Sequence, residues 1–434
     1  MHRTRLRRIL CILLCGAWPV VAHAQAGSPL AEPSADAALA GAVTARPGDT
    51  AAIARNPGAL GHVDRPVLTL GAHAGEINLW MARDGEGGRE LDRGMAGAAL
   101  GLVARLPGPD WIARVRVGLA AHLPTAYVLR LSAPPRPDEP TPVSYGYRAG
   151  RTAVAGSLGV ELPYGVAIGG GVSITPSLET TTYVSYDATR GDSPDDNVVV
   201  DARNELVMGA SPMLGARYAP IPVLAFGLAW RGAQVVDAEG PNDVRAGAIR
   251  VDAVIDFHEV FAPMELAFGV WGAPVPELAL SGDVVWSEWS TFRTIHDRVP
   301  SPAFDDVVSV RLGAEVRPAP HWTLRAGWAF EPTPVPEQRG VSNYVDSDRH
   351  VLGIGAGIDL ERLGSARVRI DVHARFHVLA RRSHTKDTAL LPDAHDDIPG
   401  LQIDNRGYPG FESGGSFGQI GVTVTAPLSR EGAP

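Results

Sequence analysis

Apolar and polar residues alternate along much of this chain after its first 60 residues. Over residues 366–380 the apolar positions are Val368, Ile370, Val372, Ala374, Phe376 and Val378. The positions between them are polar: Arg367, Arg369, Asp371, His373, Arg375 and His377. Because successive side chains of a strand point to opposite faces of a sheet, this pattern predicts a strand with one apolar and one polar face.

The same alternation returns in residues 112–122, 307–318 and 321–330, whereas helical periodicity is nearly absent. In a soluble sandwich the polar face would meet water and the apolar face would form the core. Strands of about 10 residues with an apolar outer face are also what a transmembrane barrel needs, because lipid offers no hydrogen bonds and only closure removes the sheet edges.

The connections between these segments favour the barrel. Six are short and rich in turn-forming residues, at 106–111, 162–165, 219–222, 273–277, 318–321 and 361–365. Seven are long and polar, at about 76–93, 123–149, 178–203, 233–261, 291–305, 331–347 and 381–413. Short and long connections alternate along the chain, which is typical of periplasmic turns and extracellular loops. We therefore predict an all-β fold, a 14-stranded antiparallel transmembrane β-barrel over residues 63–428.

One segment complicates this count. Residues 246–257 also have the pattern of a strand, but an extra wall strand would put the two chain ends on opposite sides of the membrane. We therefore assign this segment to the fourth long loop, or to an extension of the strand at 262–272 above the membrane.

The first 24 residues have the features of a secretory signal peptide. Four arginines precede an apolar run that ends at Leu14, and Ala22-His23-Ala24 forms an A-x-A cleavage site. The mature chain would begin near Gln25 and be exported to the outer membrane of a Gram-negative cell. Cys15 as a lipoprotein acceptor is the alternative, but Leu14 before it is too large for that processing. Both cysteines would then leave with the signal peptide.

Composition excludes some partners and suggests no others. After removal of the signal peptide, 35 of the 39 basic residues and all 48 acidic residues remain. This acidic balance argues against nucleic acid as a partner. The residue patterns suggest no metal site, so we expect neither a metal nor a cofactor.

A series of short motifs carries a family resemblance. The motifs are Trp286-x-x-Trp289-Ser290, the Trp-Thr-Leu-Arg-Ala-Gly run at 322–327, Thr333-Pro334-Val335 and Asp348-Arg349. In their order and spacing they resemble the FadL-type outer-membrane transporters of long-chain fatty acids and other hydrophobic compounds. One departure is the C-terminus, which runs past the last predicted strand to Pro434 without the usual final aromatic residue. That departure concerns recognition by the barrel assembly machinery, an expected partner.

The segment "IARNPGAL" (53–60) gains a meaning from this resemblance. Alone, its Asn-Pro-Gly turn reads as a surface loop. In the FadL-type family an Asn-Pro-Ala/Gly element belongs to an N-terminal hatch folded inside the lumen. The resemblance implies such a hatch over residues 25–62, with five residues of this segment in it: Ile53, Asn56, Pro57, Gly58 and Leu60.

The resemblance also implies a route for the ligand. It begins with capture in an apolar groove among the extracellular loops, continues to a second pocket against the hatch, and ends with release through a gap beside a kinked strand. The candidate groove residues are Leu123, Tyr127, Leu129 and Leu131, although this stretch could equally continue a strand. Candidates for the lateral opening are Gly118 and Pro124, with packing of Gly118 against the hatch as the alternative.

Two arginines are candidates for contact with a carboxylate head group or with the hatch. Arg325 and Arg349 would face the lumen or its rim, where a guanidinium can bind a carboxylate through two hydrogen bonds. Salt bridges that brace the hatch against the wall are the alternative. The expected partners are then a hydrophobic small molecule, outer-membrane lipid and lipopolysaccharide.

Three other functions remain open at this point. A diffusion porin, or a structural or adhesion barrel, would share the fold, and a porin would lack a plug. An outer-membrane hydrolase would use Asp371, His373 and His377 on one face, but arginines surround them and no serine stands in a recognisable catalytic setting. We therefore predict that the protein is not an enzyme.

Overall fold

A computed structural model describes most of the chain. The described residues are 32–83, 89–90, 93–106, 109, 114–125, 139–143, 152–186, 198–246, 249–294, 298–363, 366–391 and 405–428.

Fourteen of the described strands form one closed antiparallel wall, which confirms the predicted fold. In chain order they are β1 Val67–Arg83, β3 Arg93–Arg105, β4 Val115–Pro124, β6 Ala153–Glu161, β7 Val166–Tyr186, β8 Val198–Ile221, β9 Leu224–Arg231, β12 Glu265–Val275, β13 Leu278–Ser287, β14 Val307–Ala319, β15 Trp322–Glu331, β17 Arg349–Leu363, β18 Ala366–Thr385 and β19 Gly410–Pro427. The wall closes where β1 pairs with β19, from Val67 beside Pro427 to Arg83 beside Phe411. Closure leaves no strand edge in the wall.

The five remaining strands of the described chain lie in the long connections. They are β2 Arg89–Glu90, β5 Pro140–Pro142, β10 Gln234–Ala246, β11 Ile249–Ala262 and β16 Asn343–Val345. Strands β10 and β11 form a hairpin, and β10 also runs parallel to the end of β7. Since β9 pairs directly with β12, this hairpin lies outside the ring of wall strands. The assignment of 246–257 to the fourth long loop is therefore confirmed.

The outer face of the wall is apolar, because every wall strand exposes at least one large apolar side chain. Representatives from β1 to β19 are Leu70, Leu100, Leu119, Leu158, Ile168, Leu214, Leu228, Phe268, Val284, Leu312, Leu324, Ile354, Val372 and Ile420. The intervening inward positions carry the polar residues, and Asp371 and Arg375 of β18 are buried there as predicted. This arrangement places apolar side chains against lipid and charges in the lumen.

The described N-terminal residues fill the lumen. They form helix α1 (Ser34–Ala38), helix α2 (Ala52–Arg55) and a 3₁₀ helix at Pro57–His62. Helix α1 packs on β15, β17, β18 and β19, whereas the 3₁₀ helix packs on β4, β6, β7, β8 and β9. Contacts with both halves of the ring place residues 32–62 inside the barrel, and we refer to this segment as the hatch. The other short 3₁₀ helices are Pro163–Gly165, Trp289–Thr291 and Thr388–Leu390. No helix in the described ranges has the length and hydropathy that crossing a bilayer requires.

Candidate functional site: the hatch and its cavity

The Asn-Pro-Gly turn of the hatch is buried against the inner wall. Asn56 is 1% exposed, and its amide donates to the carbonyl oxygens of Thr44 at 2.7 Å and of Ala216 on β8 at 3.0 Å. The Asn56 side-chain oxygen accepts a bond from the Gly58 backbone at 3.1 Å. All three polar groups of this turn therefore have partners, and the prediction of a buried, hydrogen-bonded turn is correct.

Close approach between the turn and the wall requires small residues on the wall. A Cβ atom added to Gly215 of β8 would lie 2.1 Å from the Asn56 side-chain oxygen, and one added to Gly169 of β7 would lie 2.3 Å from the Pro57 carbonyl oxygen. Neither distance leaves room for a side chain. Glycine at these two inward positions lets the hatch backbone lie directly on the sheet.

Wall side chains also satisfy the backbone of the hatch. One oxygen of Asp283 on β13 accepts three bonds, from the backbone of Val43 at 2.8 Å, from the backbone of Thr44 at 2.9 Å and from the Thr44 hydroxyl at 2.8 Å. Arg217 of β8 donates to the Ala45 carbonyl at 2.9 Å. Because an irregular segment has many backbone groups without partners of their own, these wall residues replace the partners that secondary structure would supply.

A chain of buried ion pairs joins Arg46 of the hatch to strands β14, β15 and β18 of the wall. Arg46 of the hatch lies 3.2 Å from Glu315 on β14, whose other oxygen accepts a 2.7 Å bond from Arg325 on β15. Arg325 then donates to Asp371 on β18 at 2.7 Å. Each charge in this chain has an opposite charge at bonding distance, which is what burial of a charge requires.

Two further groups of ion pairs lie in the lumen. Arg349 of β17 donates to Glu331 of β15 at 2.7 Å. Glu32 of the hatch accepts a 2.6 Å bond from Arg375 of β18 and forms an ion pair with Arg55 at the end of α2. Glu32 therefore links the first described residues of the hatch to β18 of the wall. Through Arg55 it links α2 to the wall as well.

Beside the hatch lies a cavity of about 130 Å³. Hatch residues form one side, and strands β1, β3, β4, β6, β7, β9 and β19 form the other. Most of the lining is apolar and small: Ala51, Ala54, Gly71, Ala99, Gly101, Ala120, Ala121, Ala153 and Ala155. Its charged lining residues are Glu32, Asp36, Arg55 and Arg231. The geometry offers a mainly apolar space with a few polar groups, which is the usual composition of a small-molecule site.

Aromatic side chains from three long connections form one cluster. Trp289, Phe292 and Phe304 are each at most 2% exposed, and Phe292 stacks on Phe304 with ring centroids 4.5 Å apart. Phe261 and Tyr344 pack edge-on against this group. We refer to this buried apolar cluster of the described loops as the extracellular cap.

Lys386 joins two of the long connections. Its ammonium donates to the carbonyl oxygens of Gly340 at 2.7 Å and Ser342 at 2.9 Å, and it lies 5.2 Å from the centre of the Phe411 ring. Burial lowers the pKa of Lys386 to about 8. The side chain therefore connects the start of the last long connection to the loop that follows β15.

Comparison with known proteins identifies the architecture. The family described as "Outer membrane protein transport protein (OMPP1/FadL/TodX)" matches residues 191–401. A Pseudomonas aeruginosa FadL homologue has a similar structure with a TM-score of 0.62, at 16% identity, over 94% of this chain and 99% of that one. The Pseudomonas putida toluene transporter TodX gives a TM-score of 0.53 at 12% identity, over 93% of this chain and 99% of that one. At these identities the two structures establish the fold.

Residues 191–401 of this chain are therefore similar to the FadL-type family of outer-membrane transport proteins. Its motif order, its 14-stranded wall and its plugged lumen agree with that assignment. Among curated proteins, alkane uptake protein A of Marinobacter nauticus is 36% identical over 85 residues, which are 19% of this chain and 19% of that protein. The matched family is one of outer membrane proteins, and a closed barrel with an apolar outer face agrees with that location.

The structure places the predicted arginines in the salt-bridge networks. Arg325 and Arg349 are 5% and 3% exposed, each is bound to a carboxylate, and neither lines the cavity. Arg325 reaches the hatch through Glu315 and Arg46, whereas Arg349 pairs with Glu331 of the wall and with Asp346 of the preceding loop. Contact of either arginine with a ligand stays a prediction.

The predicted groove falls mostly outside the described residues, since Tyr127, Leu129 and Leu131 lie between residues 125 and 139. Leu123 is described and is 46% exposed on the outer face of β4, where it pairs with Ala98 of β3. For this residue the geometry agrees with the alternative, a strand that continues upward.

The proposed opening also lies in an intact part of the wall. Gly118 pairs with Val103 on one side and Ser157 on the other, and Pro124 ends β4 opposite Gly97. A Cβ atom added to Gly118 would lie 2.5 Å from Ile53 of the hatch. The wall is therefore closed at Gly118 in this structure, and the hatch packs there. Its role in a lateral opening stays a prediction.

The constellation behind the hydrolase alternative is not assembled for catalysis. Asp371 is bonded to Arg325 and lies 2.9 Å from Arg369, so guanidinium groups occupy its carboxylate. His373 and His377 are buried on the inner face of β18. Within the described ranges, no three His, Cys, Asp or Glu side chains are grouped as metal ligands. The matched family is described as one of transport proteins.

Sequence reasoning missed the polar part of the cavity. Glu32, Asp36 and Arg55 come from an alanine-rich stretch with no periodic pattern, and their neighbours there are wall residues more than 100 positions away, such as Arg231 and Thr423. The sequence did contain one signal: acidic residues stand in an otherwise apolar segment. Because unpaired carboxylates avoid apolar surroundings, their presence there indicates partners elsewhere in the fold.

Proposed function

We propose that this protein mediates passive uptake of long-chain fatty acids or other hydrophobic compounds across the outer membrane. One observation carries the proposal: residues 32–62 pack against both halves of the wall in the lumen, and a mainly apolar cavity lies between this segment and the wall. A plugged lumen does not suit free diffusion of polar solutes, and an apolar cavity next to the plug suits a hydrophobic ligand.

The physical problem that such a channel solves is a polar barrier. The saccharide layer of lipopolysaccharide opposes apolar molecules, which gain about 0.8 kcal/mol per CH₂ group when they leave water. We infer capture at the apolar extracellular cap, passage to the cavity beside the hatch, and release sideways into the membrane. A concentration gradient supplies the driving force, so no energy source is needed.

Named relatives support the class of ligand. Similar proteins are called an alkane uptake protein, a toluene transporter and a FadL homologue. We transfer to this chain only their common feature, an apolar ligand. Contact with lipopolysaccharide, recognition by the barrel assembly machinery and export by residues 1–24 belong to the same proposal.

The porin and adhesion alternatives have less support. A porin needs a continuous aqueous path, whereas the described hatch meets both halves of the wall with buried contacts. Adhesion would rest on the long loops, and four aromatic side chains of these loops, Phe261, Trp289, Phe292 and Phe304, are buried in one cluster.

Growth and permeability together test the proposal. Expression in a host that lacks its own fatty-acid transporter should restore growth on at least one long-chain fatty acid or aromatic hydrocarbon. The purified barrel in liposomes should not admit sugars in a swelling assay. Free passage of sugars together with no growth would favour the porin and refute the transporter. Barrel abundance in the membrane, read from its heat-dependent gel mobility, is the control.

A further inference from the structure

Asp36 is a buried carboxyl group with no hydrogen-bond partner. It lies in the first turn of α1, has 0% exposure and lines the cavity beside the hatch. Neither side-chain oxygen is hydrogen-bonded. The nearest cationic atom is a terminal nitrogen of Arg46 at 3.6 Å, beyond hydrogen-bond distance. An unsatisfied buried carboxyl is costly, so a group that hydrogen-bonds to it there is favoured.

Most other polar groups of the cavity already have partners. The Thr50 and Thr69 hydroxyls bond to each other at 3.0 Å, and the Thr423 hydroxyl donates to that of Ser34 at 2.9 Å. Glu32 is paired with both Arg55 and Arg375. Asp36 is therefore the acidic side chain of the cavity that still offers hydrogen-bonding capacity.

The charge balance of the cavity disfavours an ionic ligand. Glu32 is paired with Arg55, and Arg231 lies 3.9 Å from Glu265 of β12, so these charges are balanced without Asp36. Arg231 donates to the Ala54 carbonyl at 2.6 Å, and its buried Nε atom has no hydrogen-bond partner. One free acceptor group and one free donor are suited to a neutral group that can both donate and accept.

We propose that the cavity selects apolar molecules that carry one neutral hydroxyl group, such as phenols, and that Asp36 is the hydrogen-bond partner of this hydroxyl. The inference rests on the proposed function, because it names the ligand class of the same cavity. A hydroxyl group satisfies a carboxyl in either protonation state, since it donates to a carboxylate and accepts from a carboxylic acid. A pure hydrocarbon of the same size would leave Asp36 unsatisfied.

The protonation and the volume agree with this ligand. Burial, with the nearby Asp49, raises the pKa of Asp36 well above its usual range, which favours the neutral carboxyl and further disfavours a cation as ligand. The 130 Å³ cavity is close to the roughly 150 Å³ engineered apolar cavity that binds benzene in another protein. A single substituted ring is therefore about the right size.

Two ring compounds of nearly equal size test the inference, 4-fluorophenol and 4-fluorotoluene, followed by ¹⁹F NMR with the full-length protein in detergent. The Ala120→Leu variant fills the cavity, so the signal that it removes reports binding in the cavity rather than in the micelle. We expect the wild type to bind the phenol on the order of tenfold more tightly. Asp36→Leu should abolish that preference and retain binding of fluorotoluene. Asp359→Asn on β17, outside the cavity lining and paired with Arg369, should leave the preference unchanged.

Each other outcome has a defined meaning. Equal binding of both compounds by the wild type, or an unchanged preference in Asp36→Leu, would overturn the hydroxyl inference and leave the uptake proposal intact. Equal binding by the wild type would mean that a water molecule already hydrogen-bonds to Asp36. Tighter binding of benzylammonium than of the phenol would assign the site to cations instead. If neither probe binds in the cavity, the ligand inference fails, and the growth assay decides the uptake proposal separately. Should Asp36→Leu not fold, the wild-type ratio alone still tests the inference.

Discussion

Asp283 is the wall residue on which the docking of the hatch can be tested most directly. Its one bonded oxygen accepts three hydrogen bonds from Val43 and Thr44, and all three groups are buried. Asp283→Ala would leave two backbone N–H groups and one hydroxyl without partners. At about 1–3 kcal/mol for each unsatisfied group, partly relieved by water, the hatch should lose on the order of 4 kcal/mol of docking free energy.

A graded pair of substitutions makes this magnitude testable. The other oxygen of Asp283 has no hydrogen-bond partner, so Asp283→Asn can keep a carbonyl oxygen at the bonded position. Hydrogen bonds to a neutral acceptor are about half as strong as those to an ionised one, so we expect a loss of about 1–2 kcal/mol. The undocked fraction should then rise on the order of tenfold in Asp283→Asn and about a thousandfold in Asp283→Ala.

Single-channel recording in planar bilayers measures the undocked fraction, because an open barrel conducts ions and a plugged one does not. The matched control is Asp359→Asn on β17, which removes an inner-wall acid that pairs with Arg369 and has no recorded bond to the hatch. We expect open events to be most frequent in Asp283→Ala, less frequent in Asp283→Asn, and least frequent in the control and the wild type. Equal open probability in all four proteins would refute the argument that these three bonds hold the hatch.

Three further perturbations address other contacts. Deletion of residues 46–60 should raise conductance continuously, and unchanged conductance would mean that this segment blocks nothing. Gly118→Ala should destabilise the protein by about 1–3 kcal/mol, because the added methyl group would clash with Ile53. Ile53→Ala should partly relieve that loss in the double variant. If the two losses of stability simply add when unfolding is measured in detergent, the contact is not made. Since the pKa of Lys386 falls from 10.5 to about 8 on folding, the unfolded loop binds more protons between these pH values, and loop stability should rise with pH across that window. The ratio of the subtilisin resistance of the wild type to that of Lys386→Met should therefore rise with pH across that window. A ratio that does not change with pH would contradict the prediction.

The wall was predictable because its two signals are local. Alternation over residues 366–380 defines the faces of β18, and a turn such as 276–277 between β12 and β13 is set by neighbouring prolines. An even strand count then puts both chain ends on the same side of the membrane. Alternation alone does not distinguish wall from loop, however: β11 has the same pattern as a wall strand and yet pairs within a loop hairpin.

The contacts of the hatch were harder to predict, because they join residues far apart in sequence. Asn56 was expected in the lumen through a family resemblance, but nothing local indicates that its partner is Ala216. Gly118 shows the same limit. Its effect depends on Ile53, which lies 65 positions earlier and reaches β4 only when the hatch is inside the barrel.

One feature of composition accounts for both the docking of the hatch and the cavity beside it. Where the inner wall carries glycine, as at Gly169 and Gly215, the hatch backbone lies directly on the sheet and excludes any space. Where alanine faces alanine, as between Ala54 of the hatch and Ala120 or Ala155 of the wall, the side chains hold the surfaces apart and are too short to fill the gap. Substitution of one lining alanine by leucine should therefore remove ligand binding and stabilise the docked hatch together, because the added methyl groups occupy space that is now empty. Ala155→Leu is one such variant. If it blocks ligand binding but weakens the docking of the hatch, the cavity is already filled when the hatch is docked.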